Sequence, residues 1–364
     1  MNLAAIYCNR FISSCDASVN AVIRTAAGLG RARRPVNVLG MLAMALLMGA
    51  SLFSLTSQSV RAQSTAWPTK TVRIVVPFPP GGSVDQVARL VAQQLALQTG
   101  QNFIVENKTG ASGAIGTQMV AKSEPDGHTL VVVFDTHATN PNLIPNLGFN
   151  TLKDLAPITL IGTAPMAVVA HISQPFNSFS DVLAASKAKP GSVAYGSIGS
   201  GSLGHLAMTQ IGNLLGTEFN HVPYRGGGPL MIDAVGGQIG VAVGTVFLVN
   251  PHIKSGKLKA LGVTSIKADP QLPGVAPIAD QGVPGYNALA WWGAFAPAAT
   301  PAPVLKRIQE EFVKALRNPA IAEKLSAQGM DLAASSPQEL QSFVQVEIDR
   351  WAKVIQQNKI RAGD

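Results

Sequence analysis

The stretch VRIVVPFPPGGSVDQVARL, residues 72–90, decides the fold. Residues 72–78 form an apolar run rich in β-branched side chains, which is typical of a buried strand. Residues 79–82 break this run, and the apolar positions of the segment that follows recur at helical spacing. Ser83 is the N-cap that we predict for that helix. A strand, a tight loop and a helix in this order predict an α/β fold.

The remainder of the chain alternates in the same way between strand-like and helix-like segments. Strands are predicted at 103–106, 129–134, 166–170, 192–195, 219–224, 239–243 and 258–263, and helices at 114–122, 179–188, 302–317, 319–328 and 337–357 and directly after Ser202. This alternation predicts an α/β architecture with largely parallel sheets.

The first 62 residues have the features of a leader. A basic cluster, Arg31 to Arg34, precedes the uncharged residues 35–60, and Val60-Arg61-Ala62 fits the small-x-small pattern of a signal-peptidase site. We therefore expect export to the periplasm with cleavage near Ala62. An uncleaved membrane anchor is the alternative, and residues 1–30 also fit an over-extended start.

Removing this leader changes what composition implies. Both cysteines, Cys8 and Cys15, lie in it, so the mature chain is expected to have no disulfide, thiolate metal site or cysteine nucleophile. The leader also holds six Arg and one Asp, so the net charge falls from +8 to +3. No basic block with interleaved aromatic residues remains, and we expect no nucleic-acid partner. No metal-ligand spacing such as H-E-x-x-H is present either.

One local pattern occurs three times: a strand, a loop of small residues and the start of a helix, at 77–85, 110–116 and 197–205. A helix start presents unpaired backbone N–H groups and the positive end of the helix dipole, so it suits an anion. Ordinary strand-to-helix turns are the alternative interpretation. Two such loops in two α/β halves would hold one acidic molecule from both sides.

The third of these loops invites two further interpretations. Gly199 to Gly204 matches G-x-G-x-x-G, but Glu218 precedes the next strand rather than ending it, so a dinucleotide cofactor is not predicted. Ser202 stands near a nucleophile-elbow pattern, yet sequence alone does not bring a histidine and an acid to it. Arg225 is expected to be a solvated turn residue or an aid to anion binding.

Eight segments occur in the order that is typical of the Bug/TctC family of periplasmic solute-binding proteins, which the mature chain resembles from about residue 67 to about 360. They are WPTKTVRIVVPFPPGGSVDQVAR, GQNFIVENKTGASGAIG, EPDGHTL, KDLAPITLIG, KAKPGSVAYGSIGSGSLGHLA, HVPYRGGGP, GKLKALGVTS and WWGAFAPAATP. Some members of this family serve tripartite tricarboxylate transporters.

The resemblance implies a two-lobed, periplasmic-binding-protein-like (type II) fold that closes on its ligand by hinge motion. The lobes would comprise residues 63–166 with 290–364, and residues 167–289. The ligand-binding residues that it implies come from two loops, a strand end and two helix starts: Phe78, Pro79, Pro80, Gly81, Gly82, Ser83, Asp85, Asp135, His137, Ser197, Gly199, Ser200, Gly201, Ser202 and His205.

Asp135 is an unexpected acid near an anion site, where it would repel a second carboxylate or accept a hydrogen bond from an amine or amide.

Taken together, these features predict a non-enzymatic, monomeric binding protein without cofactor or metal, which captures a small carboxylate-bearing metabolite for a membrane permease. A ligand-presenting partner of a sensor protein and a secreted serine hydrolase using Ser202 are the alternatives.

Overall fold

The computed structural model describes residues 66–361. The predicted leader, with Cys8 and Cys15, lies outside the described residues. Residues 66–361 form ten strands: β1 (Val72–Val76), β2 (Phe103–Asn107), β3 (Thr129–Val133), β4 (Leu155–His171), β5 (Ala194–Ser197), β6 (Asn220–Pro223), β7 (Val241–Thr245), β8 (Leu258–Val263), β9 (Leu289–Pro297) and β10 (Asp331–Leu332).

Ten α-helices in the described residues lie between and after these strands. They are α1 (Ser83–Thr99), α2 (Ala114–Ala121), α3 (Thr136–Leu143), α4 (Phe179–Ala188), α5 (Leu203–Leu215), α6 (Gly227–Val235), α7 (Val246–Lys254), α8 (Ala302–Leu316), α9 (Pro319–Ser326) and α10 (Pro337–Gln357). Short 3₁₀ turns occupy Ala111–Gly113 and Ile278–Gln281. Within residues 66–361, no helix combines the length and the apolar character that crossing a membrane requires.

The strands form one continuous hydrogen-bonded series in the order β2-β1-β3-β9-β4-β7-β5-β6, with β8 and β10 also paired to β4. Pairs at the two ends of the series are parallel: β1 with β2 and β3, and β5 with β6 and β7. The middle is antiparallel, because β4 and β9 run against all their partners. The prediction of largely parallel sheets is therefore wrong for the centre of the molecule.

The long strand β4 changes partners along its length. Its first part, up to Pro165, pairs with β9, and from Met166 it pairs with β7 and β8. Thr264, which is buried, joins the strands here: its hydroxyl accepts from the Met166 amide at 2.9 Å and donates to the Ala288 carbonyl at 2.6 Å. Two groups of parallel strands are thus connected by β4 and the return of the chain into β9.

The parallel strands place their helix-bearing loops at one edge. Strands β1, β3, β5 and β6 are each followed by a loop and the start of a helix, and β7 leads directly into α7. In open α/β sheets, ligands bind at the carboxyl ends of such strands. The core behind this edge contains the fully buried Trp291 and Trp292.

Candidate functional site

The loop after β1 leads directly into α1. The N-cap is Gly82, with φ −74° and ψ 166°, and its carbonyl accepts from the Gln86 amide at 3.0 Å. The N-cap predicted at Ser83 is therefore wrong by one residue, since Ser83 already has helical geometry. Because Gly82 has no side chain, it supplies no acceptor for the backbone amides in the first turn of α1.

A buried carboxylate, Asp85, holds this loop in shape. It accepts hydrogen bonds from the Gly81 amide at 3.0 Å and from Asn107 Nδ2 at 2.9 Å, and it forms an ion pair with Arg89 at 2.9 Å. Asn107 also donates to the Phe78 carbonyl at 2.9 Å. Burial raises the pKa of Asp85, but the hydrogen bonds outweigh it and the pKa lies below its ordinary value. Asp85 is thus a fixed anion one turn behind the loop.

The element opposite this loop is the start of α6, after the glycine run 226–228. A Cβ placed on Gly82 would lie 3.6 Å from the Gly227 nitrogen and 3.8 Å from the Gly228 nitrogen. At Gly226 a Cβ would lie 2.7 Å from Cδ of Pro79, and its φ of +120° is one that L side chains rarely adopt. The glycines therefore let two helix starts approach closely, backbone against backbone.

A small cavity lies where these helix starts meet. Its lining residues are Phe78, Gly82, Ser83, Val84, Phe134, Met166, Ile198, Gly227, Thr245 and Leu248. A third helix reaches it, because Thr245 is the N-cap of α7 and its hydroxyl accepts from the Leu248 amide at 3.2 Å. None of the lining residues carries a charge, so the positive ends of three helix dipoles set the local potential.

The amides at this cavity are available to a ligand. No hydrogen bond within the described part of the chain uses the N–H groups of Ser83, Val84 or Gly227. The cavity has a volume of about 10 Å³, room for about one water molecule. Any metabolite can therefore enter only when the loops move apart.

The loop after β5, residues 197–202, was predicted to hold the ligand opposite residues 78–83. Its backbone amides instead form hydrogen bonds within the loop. Gly199 N–H donates to Ser197 Oγ at 3.2 Å, Gly201 N–H to His205 Nδ1 at 3.0 Å, and Ser202 N–H to the Gly199 carbonyl at 3.2 Å. Among its residues, only the intervening Ile198 lines the cavity. The structure therefore places residues 226–228, rather than 197–202, against the first loop.

Ser202 is buried at the start of α5. Its hydroxyl donates to the Gly199 carbonyl at 2.7 Å and lies 3.3 Å from Ser197 Oγ. Nearby, Ser197 Oγ lies 2.8 Å from His221 Nε2, and the His221 ring stacks on that of His205 with their centroids 3.9 Å apart. Ser202 therefore holds the loop conformation, and the described contacts do not activate it as a nucleophile.

Side chains from the first half of the sheet bind this second loop across the boundary between the two groups of parallel strands, which we call the seam. Ser112 Oγ donates to the Ser200 carbonyl at 2.9 Å, and Thr139 Oγ1 donates to the Gly201 carbonyl at 2.8 Å. Asn140 Nδ2 in turn donates to the Ser112 carbonyl at 3.0 Å. Ser112 has a φ of +49°, unusual for a residue with a side chain. These contacts form a seam latch, Ser112 and Thr139, outside the cavity.

Asp135 lies on the same seam, directly after the cavity residue Phe134. It is 2% exposed; Oδ1 lies 3.5 Å from the Leu203 amide at the start of α5, and Oδ2 has no hydrogen-bond partner among the described residues. Burial, with a smaller contribution from Glu347, raises its pKa to about 8. An acid thus occupies the start of α5.

His137 faces away from the cavity. Its ring centroid lies 4.9 Å from that of Phe295 and 6.3 Å from that of Phe149, in an apolar cluster that also contains Trp291. Burial lowers its pKa to about 3, so the ring is neutral at pH 7. The ligand-binding role predicted for His137 therefore has no support in its position. Arg225 is exposed, as a solvated turn residue would be.

Several site residues were missed from the sequence. They are the cavity residues Val84, Phe134, Met166, Ile198, Gly227, Thr245 and Leu248 and the latch residues Ser112 and Thr139. The signal for two of them was available, because Gly227 and Thr245 follow strands and begin helices, as Gly82 does. The latch residues gave none, since their partners lie 88 and 62 positions away.

Two groups of strands joined by β4, with a cavity where helix starts meet, define a two-lobed binding protein. Solved structures agree. The chain is similar to R. palustris Rpa4515 with adipate (TM-score 0.78, 32% identity, covering 81% of this chain and 99% of that one). It is also similar to MatC from Rhodopseudomonas palustris with bound malate (TM-score 0.74, 30% identity, covering 79% and 100%).

Sequence comparison identifies the family. Residues 87–360 match the tripartite tricarboxylate transporter family receptor, TctC. Protein BugT of Bordetella pertussis is 34% identical over 294 residues, which cover 80% of this chain and 90% of BugT. The chain belongs to the TctC family of receptors.

Proposed function

We propose that this chain is a periplasmic receptor that binds a small carboxylate-bearing metabolite between the starts of α1, α6 and α7 and delivers it to a permease of the tripartite tricarboxylate type. The observation that carries the proposal is the meeting of three helix N-termini at one cavity without a charged side chain. Helix N-termini stabilise anions through their unpaired N–H groups and their dipoles.

A carboxylate at this position would accept hydrogen bonds from the free amides of Ser83, Val84 and Gly227. These donors come from both sides of the seam, so a bound anion would join the two halves. Related receptors hold acids of this kind: adipate in Rpa4515 and malate in MatC. The binding residues we propose are therefore those of the first loop, Phe78 to Ser83, together with Gly227 and Thr245.

The proposal includes a closing motion. With a cavity of about 10 Å³, the loops must separate for ligand entry and close afterwards. We place the lobes at 63–166 with 290–364, and at 167–289; the change of partners in β4 after Pro165 supports this division. Export with removal of residues 1–62 also belongs to the proposal.

Two measurements test this function. Native mass spectrometry of the exported protein is expected to find a co-purified small acid. A thermal-shift screen of monocarboxylates, dicarboxylates and the corresponding amides is expected to find stabilisation by carboxylates and none by the neutral amides. If no carboxylate raises the melting temperature and no acid co-purifies, the proposed function is wrong. To separate binding from catalysis, ligand affinity and ester hydrolysis are measured for the wild type and for Ser202→Ala. We expect equal affinities and no hydrolysis by either protein.

A further inference from the structure

Besides the starts of α1, α6 and α7, the described structure has the start of α5 at the seam, and its first amide already faces a carboxyl group. Asp135 Oδ1 lies 3.5 Å from the Leu203 N–H. The other amides that lead into this helix, those of Gly199, Gly201 and Ser202, are bonded within the loop. A ligand therefore finds free backbone donors at the α1 and α6 starts, and an acid of the protein at the α5 start.

Asp135 lies next to the cavity, and two chain segments connect it to cavity residues. It directly follows Phe134, and its contact Leu203 lies in the segment that begins at Ile198; Phe134 and Ile198 both line the cavity. As the loops separate, space opens along these two segments. A ligand long enough to extend from the α1 start past Phe134 and Ile198 would then approach Asp135, whose Oδ2 has no hydrogen-bond partner among the described residues.

The cavity walls offer nothing else to a second charge. Apart from the helix starts, they are the apolar side chains of Phe78, Phe134, Met166, Ile198 and Leu248. A carboxylate buried against such groups without donors loses its hydration and gains no hydrogen bond, which is unfavourable.

We propose that Asp135 determines specificity by occupying the place of a second carboxylate, so that this receptor takes monocarboxylates with an apolar body and discriminates against dicarboxylates. The inference rests on the proposed function, which it makes more specific. It sets this chain apart from the relatives that bind adipate and malate.

Ionisation strengthens this exclusion at high pH. The titratable and charged groups on the helices packed here are His137 on α3, His205 on α5, and Glu339, Glu347, Asp349, Arg350 and Lys353 on α10. Of these, Glu347 acts on the Asp135 carboxyl, and burial together with Glu347 raises the pKa of Asp135 to about 8. At pH 9 the carboxyl group is ionised and repels a dianion, whereas at pH 7 most of it is protonated and its hydroxyl can donate to a second carboxylate, so the exclusion is weaker.

The test compares acids that differ only at the far end. Dissociation constants of butyrate and succinate, and of hexanoate and adipate, are measured by calorimetry at pH 7 and pH 9 for the wild type, Asp135→Asn and Asp135→Ala. Asp280→Asn, an exposed acid, is the matched control. Circular dichroism and urea unfolding establish that each variant is folded.

In the wild type at pH 9, we expect each monocarboxylate to bind at least about tenfold more tightly than its dicarboxylate, with a narrower gap at pH 7. In Asp135→Asn the gap is expected to fall below about threefold and to be independent of pH, because an amide supplies a donor without a charge. Asp280→Asn should behave as the wild type.

Two results would overturn the inference while leaving the proposed function intact: a dicarboxylate that at pH 9 binds the wild type as tightly as its monocarboxylate, or an unchanged gap at pH 9 in both folded Asp135 variants. Failure of all four acids to bind, with stabilisation by none in the wider screen, would instead contradict the proposed function itself.

Discussion

Gly82 and Gly227 stand at the starts of two helices that face each other, so close that a Cβ on Gly82 would lie 3.6 Å from the Gly227 nitrogen. Like ends of two helix dipoles repel, and an anion between them removes that repulsion. The arrangement is therefore one that a ligand carboxylate completes. This carboxylate would contact loops from both groups of parallel strands, so ligand binding would act directly on closure.

The seam latch is expected to control how long a ligand stays bound. Ser112→Ala or Thr139→Val removes one side-chain hydrogen bond to residues 200–201, worth about 1 kcal/mol, so each should weaken affinity about fivefold. The change should appear in the dissociation rate, measured by stopped-flow fluorescence, because neither side chain lines the cavity. Ser123→Ala, which removes a similar bond to the Val120 carbonyl away from the seam, should have no effect. Equal dissociation rates in all three variants would refute the latch.

Asp85 is expected to affect binding without touching the ligand. Asp85→Ala removes the acceptor of the Gly81 amide and the partner of Asn107, so the loop loses its fixed shape. We predict a loss of about 1–3 kcal/mol in the free energy of unfolding and an affinity at least about tenfold weaker, measured by urea titration and calorimetry. Arg89→Ala removes only the half-exposed ion-pair partner and should have a much smaller effect on affinity. Unaltered affinity in Asp85→Ala would show that the loop does not need this anchor.

Asp135 is expected to lower stability as pH rises. Its pKa is about 8 in the folded chain against 3.8 for the ordinary group, so the unfolded chain binds fewer protons between these values and stability falls with pH. The slope is at most about 1.4 kcal/mol per pH unit. Between pH 6.5 and 8 the wild type should lose stability in urea unfolding, and Asp135→Asn should not. A loss of the same size in the variant would contradict the assignment.

His137 is expected to have the opposite effect in acid. Its pKa is about 3 when folded and 6.5 ordinarily, so the unfolded chain binds more protons between these values and stability falls as pH decreases through them. His137→Phe, which suits the surrounding aromatic side chains, should reduce the loss of stability between pH 6.5 and 5. Identical acid profiles for this variant and the wild type in urea unfolding would exclude that role.

Much of the fold follows from local pattern. Amphipathic helices such as α8 and α10, and apolar strands such as β1, were predicted to within one or two residues because their burial repeats with the period of the element. Helix α3 was not, since its sequence THATNPNL lacks an apolar stripe and contains Pro141. It forms because it packs against α10. The antiparallel strands β4 and β9 show that apolar runs do not indicate which strands pair.

The candidate site was predictable in kind and only partly in place. The sequence pattern of strand, small residues and helix start identified the first loop, and the same pattern fits Gly227 and Thr245. Which two loops meet depends on tertiary arrangement, so residues 197–202 were paired with the first loop although 226–228 face it. The side chains of Ser197 and His205 accept hydrogen bonds from the backbone amides of Gly199 and Gly201, and these bonds could not be predicted from the sequence either.

Gly82→Asp tests the central claim most directly. Its φ of −74° accepts a side chain, and the nearest atoms to an added Cβ, including the Gly227 nitrogen, lie at ordinary contact distance, so the fold should persist. The new carboxylate would occupy the proposed anion position beside the α6 start, whereas Gly82→Asn introduces the same shape without the charge. Calorimetry with the best carboxylate from the screen should show binding at least about tenfold weaker in Gly82→Asp than in Gly82→Asn. Equal affinities in the two folded variants would contradict anion capture by these helix starts.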